Sequence, residues 1–242
     1  MDNENIETIF SGQLKVKKSA EGYRHAIDPF LLCSFAQIKQ DESAVDLGCA
    51  AGIIPLILAT TTDVNQVCGV EIQPDLSDQA RENIALNGLQ EKINIMNVDL
   101  RDIKQEELIS DQSFDVVVSN PPYRKIGSGK IAPDDQRATC RHEVQGTIND
   151  FLKATAYLLK SGGRAYYIHL PERLPELLRK MEVLHLEPKR VRFVHSKVGE
   201  QSVMVLIECR KNGRPGLVVG PPLYIYSGED YSDEVKAIFR MT

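Results

Sequence analysis

The sequence predicts an α/β fold: a doubly wound, mainly parallel sheet that finishes in an antiparallel hairpin. Three observations carry that prediction. From Ser43 onward, short apolar β-rich runs alternate with amphipathic helical stretches, the pattern of strands joined by helical crossovers. The first of those runs leads directly into an acid-led glycine loop, DLGCAAG. Near the C-terminal end, KRVRFVHS and SVMVLIECRK are separated only by KVGEQ, which reads as a hairpin connection.

Each element follows from its residues. Residues 1–40 read as an N-terminal extension on the substrate side. It holds a short β-like stretch, GQLKVKK, then GYRH and an apolar helix over 29–38, with Asp28 as N-cap and Pro29 in the first turn. Residues 41–242 read as the main domain. SAVDLG is its first strand and IIPLILAT begins a helix despite Pro55. QVCGVE is a second strand, and PDLSDQARENIALNGL an amphipathic helix closed by Gly88. INIMNVD and FDVVVSN are the third and fourth strands. NDFLKATAYLLKSGG reads as a helix ended by its glycines, RAYYIHL as a fifth strand and PERLPELLRKME as a helix before the hairpin. Strand alternation in RAYYIHL expects one of Tyr166 and Tyr167 in the core.

Composition excludes several classes. With 242 residues, 42% hydrophobic and 26% charged, the chain resembles an ordinary globular protein able to bury a core. The longest apolar stretch, Ile53 to Ala59, is too short to span a bilayer, and the acidic start MDNENIETIF is not a secretory signal. Five cysteines without a C-x-x-C pair fit a reducing cytoplasm, and Cys140 with His142 lacks the second pair that a zinc site needs, so no metal is expected. A net charge of −5 argues against a wholly basic nucleic-acid binder. Basic residues nonetheless gather at Lys15–Arg24, at Arg124–Arg141 and at Lys189–Lys197, either as a solvated face or as a basic rim.

In an open α/β sheet, ligands bind beyond the carboxyl ends of the strands, where strand order reverses. Strand one ends in Asp46, Gly48, Cys49 and Gly52, strand two in Glu71 followed by Ile72, and strand three in Asp99 followed by Leu100. Glycines permit positive φ and close approach of a ligand to the backbone. The loop lacks the third glycine of the G-x-G-x-x-G dinucleotide fingerprint and the ending of a phosphate loop. An acid-led loop suits a cofactor with an amino group and no pyrophosphate, such as S-adenosylmethionine. Glu71 is placed for two ribose hydroxyls and Asp99 for an adenine edge.

Strand four stops at Asn120-Pro121-Pro122-Tyr123. Proline cannot continue a sheet ladder, so a core strand ends there abruptly. An amide oxygen and a proline carbonyl can each accept one N–H of a planar exocyclic amine, drawing it toward tetrahedral geometry, while the tyrosine offers a stacking face. VDLGCAAG, the acid in GVEIQ, the VD after strand three and NPPY together resemble a class I methyltransferase acting on a planar nitrogen.

A narrower resemblance rests on GYRHAIDPFLL, RHE at 141–143, and FVHSKVGEQSVMVLIECRKNGRPGL followed by PPLYIY. These are similar to the bacterial family of adenine-N6 methyltransferases that modify the anticodon loop of valine tRNA. The resemblance implies a Rossmann-like, seven-stranded sheet with an antiparallel C-terminal hairpin, S-adenosylmethionine as cofactor, and tRNA as partner. A monomer or weak dimer is expected. It implies Asn120 to Tyr123 as the catalytic motif, with Asn120 also beside the cofactor. Arg24, Asp28, Arg124, Lys125, Arg141 and His142 are candidate substrate contacts. His25 and Ala26 depart from the family's expected Phe and Ser. His169 reads as a satisfied core or surface histidine. Three other readings stay open: methylation of a protein glutamine, of adenine in ribosomal RNA or DNA, and an RNA-binding module without catalysis.

Overall fold

The computed structural model describes residues 6–17, 27–107, 109–123 and 146–240. A hairpin, β1 (Ile6–Ile9) with β2 (Leu14–Lys17), is followed by helix α1 (Asp28–Phe35). Then come β3 (Ser43–Leu47), α2 (Ile53–Thr61), β4 (Gln66–Glu71), α3 (Pro74–Leu86), β5 (Ile93–Asn97) and β6 (Phe114–Ser119). α4 (Ile148–Leu158), β7 (Leu159–His169), α5 (Leu174–Val183), β8 (Leu186–His195) and β9 (Ser202–Lys211) complete the main body. Two short strands, β10 (Val218–Val219) and β11 (Leu223–Tyr224), lie parallel to β8 at the sheet edge. A small ribbon, β12 (Tyr226–Ser227) with β13 (Asp230–Tyr231), leads into α6 (Asp233–Ile238).

The seven long strands run β5-β4-β3-β6-β7-β9-β8. Pairing is parallel from β5 through β7, and β9 is antiparallel to both β7 and β8. Strand order reverses between β3 and β6, so the loops leaving those two strands open side by side.

Both faces of the sheet are covered, which is why VVV in β6 can be apolar without alternation. Val116, Val118 and Tyr166 pack with Phe30 of α1, Leu56 of α2 and Ile84 of α3. Val117, Tyr167 and Leu47 pack on the opposite face with Phe151 of α4 and Leu177 of α5. Alternation holds, but it does not leave one of the two tyrosines outside: Tyr166 and Tyr167 are both fully buried.

Two boundaries differ from expectation. α1 ends at Phe35 rather than residue 38, and its N-cap is Ile27, with Asp28 as the first helical residue making no capping bond. α4 ends at Leu158, before the glycines, and the next residues already belong to β7. There Phe114 pairs with Leu159 but Val116 with Arg164, so the intervening residues bulge out of the ladder. Gly162 takes φ +79, and a Cβ on Gly163 would meet the Lys160 carbonyl oxygen at 2.9 Å. The glycines shape a bulge against β6 instead of stopping a helix.

The N-terminal hairpin is fastened to α3. Asn87 accepts the Lys15 amide at 2.9 Å and donates to the Lys15 carbonyl at 2.7 Å, while Asn83 accepts the Lys17 amide at 2.8 Å.

Candidate active site

The loop after β3 winds tightly. Gly48, Ala50 and Gly52 take φ values of +76, +46 and +81, and the Gly48 and Cys49 amides both donate to the Val70 carbonyl, at 2.8 and 3.0 Å. Ala50 holds a left-handed conformation that disfavours any residue with a Cβ, at about 1–2 kcal/mol. Glu71 stabilises it. One carboxylate oxygen accepts the Ala50 amide at 2.9 Å and the other the Gln73 amide at 2.8 Å. Gly52 lies so close to α3 that a Cβ there would sit 3.0 Å from the Ala80 methyl. The loop therefore presents backbone, not side chains.

Glu71 is only 2% exposed. A carboxylate has about four lone-pair positions, so two backbone bonds leave acceptor capacity for ribose hydroxyls. Asn97 secures the same strand end by donating to the carbonyls of Glu71 at 2.8 Å and Ile72 at 3.0 Å.

Asp46 is fully buried, and neither of its oxygens has a hydrogen-bond partner among the described residues. Burial first, then the neighbouring Glu71 carboxylate, pushes its pKa well above the ordinary range. An unpaired buried carboxyl is costly, and a cationic group brought beside it would offset that cost. The Cys49 thiol is likewise buried and pushed up, chiefly by desolvation, so that residue offers its backbone rather than a reactive sulfur.

Asp99 lies two residues beyond β5. The Arg101 amide and guanidinium both donate to it, lowering its pKa. Leu100 is buried and packs with Met96 and Ile103, forming part of the wall on that side.

At the end of β6, the buried Ser119 hydroxyl donates to the Leu47 carbonyl at 2.8 Å and ties β6 to β3 at the switch point. Asn120 follows, half-buried, with no side-chain hydrogen bond to any described residue. Pro121 is buried, and Pro122 and Tyr123 are half-buried. The Tyr123 hydroxyl donates to Asp28 at 2.5 Å, and its ring lies 5.3 Å from the His169 ring. His169 closes β7. Its Nδ1 accepts the Leu170 amide at 2.8 Å, and burial, with Arg173 nearby, lowers its pKa to about 4. It is thus a neutral imidazole with its proton on Nε2.

The structure brings Asp46, Gly48, Cys49, Gly52, Glu71, Ile72, Asp99, Leu100 and Asn120–Tyr123 to the carboxyl ends of neighbouring strands. Asp28 joins them, though not as a helix cap. Arg24, Arg124, Lys125, Arg141 and His142 lie outside the described residues, as do Cys140 and His25. Of the C-terminal basic group, Arg190 pairs with Glu208 and covers the Phe35 ring, and Arg192 pairs with Glu234. Sequence reasoning missed Ala50 and Ser119. An alanine between the loop's glycines carries no signal for positive φ, and a serine before NPPY none for a cross-strand bond.

Comparison with known proteins bears on this geometry. Residues 28–182 match the methyltransferase small domain family. A tRNA1(Val) (adenine(37)-N6)-methyltransferase of Bacteroides thetaiotaomicron is 30% identical over 218 residues, 88% of this chain and 87% of that one. The Haemophilus influenzae protein of the same name is 27% identical over 92% of this chain and 91% of its own length. Among solved structures, a predicted O-methyltransferase from Agrobacterium tumefaciens superposes with a TM-score of 0.72 at 20% identity, covering 87% of this chain and 94% of that one. A geranyl diphosphate methyltransferase in complex with GPP and sinefungin gives 0.55 at 12% identity, covering 76% of each chain. These two structural likenesses concern the fold alone.

Proposed function

We propose that this chain, which belongs to the methyltransferase small domain family and to the tRNA1(Val) (adenine(37)-N6)-methyltransferases, methylates N6 of adenine 37 in that tRNA. The observation that carries the reading is the position of Asn120-Pro121-Pro122-Tyr123. The motif leaves β6 beside the loop from β3, across the switch point where a cofactor and its reacting partner can meet.

S-adenosylmethionine supplies the electrophilic methyl group. The residues at the ends of β3, β4 and β5 suit it. The orphan carboxyl of Asp46 fits an ammonium group, the spare acceptor positions of Glu71 fit ribose hydroxyls, and Asp99 with Leu100 offers an acid and an apolar wall for a purine. The bared backbone between Gly48 and Gly52 lets the ligand approach closely.

An exocyclic adenine amine is a weak nucleophile because its lone pair is delocalised into the ring. The Asn120 side-chain oxygen and the Pro121 carbonyl accept its two N–H groups, hold the nitrogen and favour the pyramidal geometry that frees the lone pair. Asn120 is available for this because no described residue engages its side chain. The two prolines fix the turn, and Tyr123 supplies a ring on which the base, turned out of its stack, can rest. We read the enzyme as a cytoplasmic monomer or weak dimer; no described helix is long and apolar enough to cross a membrane.

Incubation with labelled S-adenosylmethionine and unmodified tRNA, followed by nucleoside analysis, tests the reading. N6-methyladenosine at position 37 of tRNA1(Val) is expected. Label appearing instead in a release-factor glutamine, ribosomal RNA or DNA, or nowhere, overturns it.

A further inference from the structure

α1 begins without a side-chain cap although its first residue, Asp28, carries the carboxylate that first-turn amides ordinarily attract. That carboxylate is engaged elsewhere, accepting the Tyr123 hydroxyl at 2.5 Å from a residue 95 positions away. Burial and the adjoining carboxylate both raise the Tyr123 pKa, so the phenol stays protonated and remains the donor. On another side, the His169 ring stands 5.3 Å away, tilted by 55°. α1 is itself firmly seated: Phe30 packs on Phe10 at 5.5 Å and on Phe239 of the C-terminal segment at 4.6 Å.

We propose that Asp28 is a positioning residue that fixes the plane of the Tyr123 ring, so that the stacking face offered to the target base is set by α1, an element outside the sheet. The inference rests on the reading of Asn120–Tyr123 as the base pocket. It explains why the motif carries tyrosine, since phenylalanine has the same face but nothing for Asp28 to hold. A ring already held at its hydroxyl end loses less freedom when the base arrives, which lowers the cost of capture.

The test compares wild type with Asp28→Asn, Asp28→Ala, Tyr123→Phe and the Asp28→Ala/Tyr123→Phe double variant, measuring kcat, KM for tRNA and S-adenosylmethionine affinity. Asp28→Ala and Tyr123→Phe should each lower kcat/KM about tenfold, mostly through KM, the scale of one hydrogen bond to a charged group. The double variant should be no worse than the poorer single, because both remove the same bond. Asp28→Asn should recover most of the loss, since its amide oxygen still accepts. Cofactor affinity should stay unchanged. Multiplicative losses, no rescue by asparagine, or unaltered kinetics in Tyr123→Phe would overturn the proposal, the last even if Asp28→Ala fails to fold. NMR of the Tyr123 ring signals without RNA gives a readout independent of substrate. Asp28→Ala should shift them and Asp28→Asn should leave them nearly in place. Unmoved signals in Asp28→Ala would overturn the positioning role whether or not tRNA proves to be the substrate.

Discussion

Glu71 accepts the Ala50 amide at 2.9 Å, so the acid that ends β4 holds the left-handed residue in the loop leaving β3. Loop shape and the proposed cofactor contact would then depend on the same carboxylate. Glu71→Gln should weaken S-adenosylmethionine binding by about tenfold or more, because charge-assisted bonds are worth about 1.5–3 kcal/mol. It should also lower the melting temperature, since the amide nitrogen cannot replace an acceptor for the Ala50 or Gln73 amide. Titration calorimetry and a thermal melt check both effects. Lost affinity without lost stability would mean that the backbone bonds contribute little.

Asp46 should make the ligand-free protein less stable as pH rises. An unfolded aspartate titrates near 3.8, and the folded group titrates higher because of burial and Glu71. Between those two values the folded state binds more protons than the unfolded state, so unfolding free energy falls with increasing pH. Below that window the penalty is absent; above it the penalty is complete. Asp46→Asn removes the charge, so its melting temperature should match wild type near pH 4 and exceed it by a growing margin toward neutrality. Cofactor affinity should fall in the same variant. A melting difference that does not change with pH would contradict the account.

Gly52→Ala tests how closely the β3 loop presses on α3. Positive φ costs about 1–2 kcal/mol for a residue with a side chain, and the new methyl would face the Ala80 methyl at 3.0 Å. A loss of at least that size is expected in urea unfolding, together with weaker cofactor binding. Neutral behaviour would show that the loop can move away from the helix.

Much of this arrangement is legible in the sequence, for physical reasons that differ by residue. Asn120 stands out because two prolines forbid the strand from continuing, and Glu71 because an acid closes an apolar strand beside a glycine loop. The mainly parallel pairing of the strands follows from their alternation with helices. Other features depend on contacts that sequence spacing does not encode. Asp28 looks like an N-cap from its neighbours alone, and only the folded chain brings Tyr123 to it. Tyr166 and Tyr167 point to opposite faces as alternation requires, but both are buried because helices cover both faces. Glycines after α4 resemble a helix stop, yet the β6 partner strand draws those residues into a bulge. Arg190 and Arg192 read as part of either a solvated face or a basic rim, and only the folded chain sets Glu208 and Glu234 beside them.

The most direct measurement is single-turnover methyl transfer by Asn120→Ala on adenine-containing tRNA, with cofactor binding measured in parallel. Asn120 is half-buried and makes no side-chain hydrogen bond to a described residue, so the variant should fold. The cofactor residues on β3, β4 and β5 are untouched, so S-adenosylmethionine should bind as before. The acceptor proposed to hold the amine is removed where positive charge would develop, and the rate should fall by about a hundred- to a thousandfold, or about 2.7–4 kcal/mol. A variant that binds S-adenosylmethionine normally and still transfers the methyl group at a near-normal rate would contradict the account.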